Sequence, residues 1–237
     1  MIVIMENTPF QKIILPNGVR LLLVPIPGVE SVATSVMVGV GSRYEEKTTN
    51  GISHFLEHMV FKGTQKYPTT DDVNFIERLG GLQNAYTDID ITCYHNKVLF
   101  EDWKSGLEIN KELALFPKLE QKHVDKERDV ILEEMKRYED EPAAKVGEVF
   151  HQMLYPQMKL GMRIIGEEQS LKDSTAETLQ TYHDEWYQPE RTVVILAGKL
   201  DASAITQIHD RVNEWFSSIP VKKTGEMERV IEKQECP

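Results

Sequence analysis

His54-Phe55-Leu56-Glu57-His58, set between Asn50-Gly51 and Phe61-Lys62-Gly63, decides how this 237-residue chain reads. On a helix of about 3.6 residues per turn, His54 and His58 stand one turn apart on the same face, with Glu57 beside them. Two such imidazoles can bind one metal ion, and a glutamate next to the second is placed to take a proton from water held there. A solvated helix face could carry the same three residues. The flanks argue against that: Gly51, Ile52, Phe55, Leu56, Met59, Val60 and Phe61 make the segment apolar around most of its circumference, so it is expected to be buried. Two histidines and a glutamate inside a buried helix are costly unless they are paired or hold a metal. The order His-x-x-Glu-His is an inverted zinc motif.

The composition sets bounds on this reading. A hydrophobic share of 41% is ordinary for a globular chain with a sizeable core, and a net charge of -11 argues against a nucleic-acid surface. Cys93 and Cys236 have neither metal-type nor redox-type spacing, which leaves them as buried or incidental thiols. The apolar start Met1-Ile2-Val3-Ile4-Met5 is too short for a signal-peptide core and lacks a basic leader, and no later stretch approaches a membrane span. The expectation is a cytoplasmic protein with no membrane partner.

Working outward, Ile13-Ile14-Leu15 and Val19 to Val24 flank Pro16-Asn17-Gly18 and form a hairpin, because Asn-Gly supplies the positive backbone angles of a tight turn. Val32 to Val40 is a β-branched third strand. The zinc helix is expected to stop at Gly63. A second helix starts at Thr69 or Thr70 and runs through Val73, Ile76 and Leu79 to Gly80-Gly81. Leu82 to Phe100 reads as one or two strands of the same sheet. Helices follow over 101–116, from about Glu120 to Asp140, from Ala143 to Leu154, and from a Ser174 or Thr175 cap to Trp186. Gly166-Glu167-Glu168 reads as a surface turn. Arg191 to Ala197 is a buried strand, and Asp201 to Phe216 an amphipathic helix. The sum is one α+β domain over 1–219, a mixed, mostly antiparallel sheet packed with helices, with a polar tail or linker over 220–237.

A catalytic zinc commonly has three protein ligands, and the motif offers two once Glu57 is kept as the base. The run Glu127 to Asp140 supplies acidic residues at core-like spacing. Val124, Glu127, Ile131, Glu134 and Tyr138 step by three or four and share a face, which points Glu127 and Glu134 the same way and rotates Glu133 off. A solvated acidic face would be the ordinary account of such a run; the missing ligand makes it less attractive.

These features together resemble the active-site half of the pitrilysin family of zinc peptidases, which includes insulin-degrading enzyme and mitochondrial processing peptidase. Besides the zinc motif, the resemblance rests on Gly41-Ser42-Arg43-Tyr44-Glu45, Gly80-Gly81 followed by Asn84-Ala85 and Thr87, the acidic helix, and Tyr187-Gln188-Pro189. It implies one Zn2+ per chain on His54, His58 and Glu134, Glu57 as the base, and Glu127 as a supporting carboxylate. It also implies an edge strand, Gly81 to Tyr86, that pairs with an extended peptide through Asn84 and Ala85, although Asn84 reads equally well as a turn residue. Family members enclose substrate between two homologous halves, the second adding an arginine and a tyrosine. The expected partners are therefore a peptide and a second half, with a homodimer as the simplest form and Arg78 and Tyr86 acting in trans. A non-catalytic scaffold subunit is the competing class, opposed by the intact motif, and a structural zinc domain leaves Glu57 unexplained. His95, His123, His151, His183 and His209 have no ligand spacing and are expected on the surface or in packing.

Overall fold

In the computed structural model, which describes residues 2–3, 10–156 and 158–222, a short strand β1 (Ile2–Val3) lies antiparallel along β2 (Gln11–Ile14). Asn17-Gly18 turns the chain back into β3 (Arg20–Pro25). Gly18 sits in the left-handed region at φ 94°, and the Asn17 amide donates to the Phe216 and Ile219 carbonyls, which ties the end of the last helix to this turn. With β4 (Ser31–Val38), β5 (Leu82–Thr87), β6 (Thr92–Leu99) and β7 (Thr192–Gly198) the sheet has the order β1-β2-β3-β7-β4-β6-β5. Among the described residues β3 and β7 form its one parallel pair, so the sheet is mixed and mostly antiparallel. The late strand β7 is inserted between β3 and β4 and pairs with both.

Burial alternates along the strands. Val36 and Val38 of β4, Tyr94 and Val98 of β6, and Val194 and Leu196 of β7 point into the core. The helices lie over that face. First come α1 (Ile52–Val60), which carries the zinc motif, and the short α2 (Thr70–Val73) and α3 (Phe75–Arg78). Next, α4 (Trp103–Leu115) is pinned to the sheet by buried polar groups: Asn110 donates to the Thr34 carbonyl and hydroxyl oxygens, both at 2.9 Å, and Asn96 donates to the Gly106 carbonyl at 2.7 Å. The chain continues through α5 (Gln121–Glu139), α6 (Pro142–Leu154), α7 (Glu168–Asp173), α8 (Ala176–Trp186) and α9 (Ala202–Phe216). No helix among the described residues is long and apolar enough to cross a membrane.

Three local expectations change. The helix expected from Thr70 to Leu79 is two, broken at Asn74 (φ -91°, ψ 16°), because the Gln83 amide takes the Val73 carbonyl that a continuous helix would use. Helix α1 ends at Val60 with Phe61 as its cap, while Gly63, at φ 144°, accepts a hydrogen bond from Lys118 N. The turn expected over Gly166-Glu167-Glu168 is shorter, since Glu168 already opens helix α7, and of the two expected caps Thr175 is the one that caps α8. Most of the expected tail, residues 223–237 with Cys236, lies outside the described residues.

Candidate metal centre

Helix α1 is held at its start by a buried carboxylate. Glu45 is 1% exposed and accepts from Gly51 N at 2.7 Å, Ser53 N at 2.9 Å and the Asn50 amide at 2.8 Å. It thereby fills the donors that a helix N-terminus leaves open, where negative charge is favoured. Burial raises its pKa to about 7 against the pull of those donors. Replacement of Glu45 by alanine is expected to lower stability by about 3 kcal/mol, since a buried donor left unmade costs roughly 1–3 kcal/mol; a denaturant midpoint unchanged from the parent would refute this anchoring. The segment 161–166 also closes on the helix start. Gly51 (φ 94°) and Gly166 (φ 92°) meet so closely that a Cβ on Gly51 would stand 2.7 Å from the Gly166 Cα.

From this fixed start α1 turns Phe55, Leu56, Met59 and Val60 fully into the core and leaves His54, Glu57 and His58 facing α5 and β5. Across from them, α5 buries Val124, Glu127 and Ile131 and presents Glu134. One Glu134 oxygen stands 3.4 Å from His58 Nε2 and 4.0 Å from His54 Nε2. One donor atom from each of His54, His58 and Glu134 lies within 4.8 Å of the others. Zinc bonds of about 2.0–2.1 Å place tetrahedral donors about 3.4 Å apart, so the set is near coordination geometry. Glu133 turns to solvent and pairs with Lys136.

The protonation pattern suits a cation. His58 Nδ1–H donates to Glu127 Oε1 at 3.0 Å, which fixes the tautomer and turns the Nε2 lone pair towards Glu134. Lys62 closes the far side of Glu127. Burial, then the neighbouring His58, holds the His54 pKa down to about 3, so His54 is neutral, as a metal ligand must be. Burial opposes charge on His58, but the hydrogen bond to Glu127 and the charges of Glu134 and Glu57 outweigh it and raise its pKa. A cage of carboxylates that favours a proton on His58 also favours a divalent ion. Glu57 is pushed up by burial and by Glu134, against a hydrogen bond from Thr87 and the pull of His58.

Beside this cluster runs a groove of about 550 Å³. His54 and Glu57 face it, Ala85, Tyr86 and Thr87 of β5 form one wall, and α6 with residues 161–165 forms the other. Since β5 ends the sheet, one of its edges is free of strand partners among the described residues. The Asn84 side chain accepts from Ala85 N at 2.9 Å. Tyr86 is exposed on the groove, whereas Arg78 is held by the Asp71 carbonyl and is not part of the lining. His151, expected on the surface or in packing, lines the groove, and His183 is buried with Nε2–H donating to the Ala114 carbonyl. Glu45, Lys62 and His151 have places at this site that their residue types and spacing do not announce. None of the three carried a helical signal: Lys62 stands four residues past His58 but beyond the end of α1.

A helix bearing His-x-x-Glu-His, backed by a sheet and faced by a glutamate from a second helix, is the arrangement an inverted zinc motif requires. Residues 20–168 match the family described as insulinase, peptidase family M16, and residues 173–237 match the M16 inactive domain. The chain belongs to the M16 family. It is 37% identical over 206 residues to an uncharacterized zinc protease of Bacillus subtilis, YmxG, covering 87% of this chain and 49% of that one. A Helicobacter pylori protease superposes with a TM-score of 0.85 at 25% identity, covering 95% of this chain and 54% of that one. The first half of the periplasmic protease PqqL of Escherichia coli does so with 0.85 at 26% identity, covering 95% and 49%. The chain thus spans about half the length of the relatives it matches.

Proposed function

We propose that this chain carries the metal centre of a zinc-dependent endopeptidase that hydrolyses extended peptides or unfolded segments, working together with a homologous second half. The convergence of His54, His58 and Glu134 within 4.8 Å, with Glu57 beside them on the groove, carries the reading. Residues 1–219 form the peptidase unit, with His54, His58 and Glu134 holding one Zn2+ and Glu127 orienting His58. The ion, when bound, supplies a Lewis acid for the scissile carbonyl and for water. Glu57 takes the proton of the attacking water and passes it to the departing amine, a role suited to a carboxylate whose pKa burial raises. The peptide lies in the groove as an added strand on β5, engaging the backbone at Asn84 and Ala85 and displacing the Asn84 side chain from Ala85 N. Backbone pairing of this kind tolerates many side chains.

The groove is partly open to solvent, so water competes with peptide hydrogen bonds there. The active species is therefore a closed pair of halves; in its simplest form a second copy presents Tyr86 and Arg78 across the groove, related by a two-fold axis. Zinc content, hydrolysis of an unstructured peptide with and without chelator, and sedimentation at the assay concentration test this together. A monomer with full activity would overturn the closed pair. An inactive monomer rescued by a homologous second protein would assign the second half to that protein. Zinc binding without hydrolysis in any assembly would favour the scaffold subunit.

A further inference from the structure

The carboxylate read above as the base is anchored from the strand that carries the peptide. Thr87 Oγ1 donates to Glu57 Oε2 at 2.7 Å, the one side-chain hydrogen bond Glu57 accepts among the described residues, and the Thr87 backbone N–H bonds the same carboxylate. Thr87 is a firm anchor. It is the last residue of β5, in register with Thr92 of β6, and the buried Thr92 hydroxyl donates in turn to the Val40 carbonyl at 3.0 Å. On the other side, α1 is locked by the core contacts of Phe55, Leu56, Met59 and Val60, so the Glu57 backbone cannot shift. Its side chain, in contrast, borders an open groove into which a glutamate could swing.

The phenols behind Glu57 do not replace Thr87. The Tyr94 and Tyr187 hydroxyls are buried and hydrogen-bond each other at 2.8 Å, so they engage each other rather than Glu57.

We infer that Thr87 is a positioning residue: its hydroxyl fixes the Glu57 carboxylate and couples the base to the edge strand on which the peptide docks. This rests on the assignment of Glu57 as the base. An outer hydrogen-bond partner of this kind is worth roughly 10- to 100-fold in activity.

The test uses zinc-loaded full-length chain in its active assembly, comparing Thr87→Val, which keeps the shape and β-branching but removes the hydroxyl, with Thr87→Ser, which keeps the hydroxyl. Thr87→Val is expected to retain parental zinc, to lower kcat about 10- to 100-fold with KM within about two-fold, and to show Glu57 displaced into the groove in its crystal structure. Thr87→Ser is expected to hold Glu57 in place and to restore most of kcat. Parental kcat in the Val variant, equal impairment of Ser and Val, or a loss confined to KM would overturn the inference. So would a Glu57 side chain unmoved in the Val crystal. That last readout does not depend on turnover: a parent without hydrolysis defeats the peptidase reading, while the position of Glu57 still decides the role of Thr87.

Discussion

Glu57→Gln is expected to bind zinc as the parent does and to lose peptide hydrolysis by roughly 10²- to 10⁴-fold, the range over which a positioned base acts. The amide keeps the length and shape of the side chain and can still accept from the Thr87 hydroxyl, so the groove and the donor set stay intact. What it loses is the capacity to take a proton. Zinc determined on the same preparation separates the two effects, and turnover comparable to the parent would remove Glu57 from the mechanism.

The second large effect is on the metal itself. His58→Ala and Glu134→Ala are expected to lose zinc and hydrolysis together, because each removes one of three converging donors. Partners that merely orient a ligand are worth roughly 10- to 100-fold in affinity, and removal of a donor is expected to exceed that. Glu133→Ala serves as the control, since Glu133 faces solvent beside Lys136. Full zinc occupancy in Glu134→Ala, with loss in Glu133→Ala, would reverse the choice of ligand.

Much of this site was legible because its signals are local. The period of α1 and the apolar residues flanking its histidines told that the motif was buried, and the Asn17-Gly18 turn told of the hairpin. Glu45 and Lys62 were not legible in the same way. Glu45 is an acidic residue in a loop, and only the folded chain brings it under the α1 amides; Lys62 lies past the helix end, where helical phase no longer predicts direction. The break at Asn74 has a similar cause, since it depends on a side chain nine residues further on, Gln83, capturing a carbonyl. Helix α7 escaped because six residues following a turn glycine carry too little periodicity to register. Tyr138 shows the limit of counting by threes and fours: steps of that size drift around a straight helix, and this residue leaves the α5 core face for the rim of the groove.

The position of β7 has a consequence for how the protein is made. Both motif helices, α1 and α5, are synthesised before the strand that joins β3 to β4. At about 5–20 residues per second, the growing chain therefore spends seconds with its donor set complete and its sheet still in two pieces. During that interval β3 and β4 expose unpaired edges, which invite association with other chains, and the support behind α1 is unfinished. A message cut short before Thr192 would accordingly yield an aggregating product rather than a smaller metal-binding protein, and folding of the intact chain waits on one of its most distant pairings.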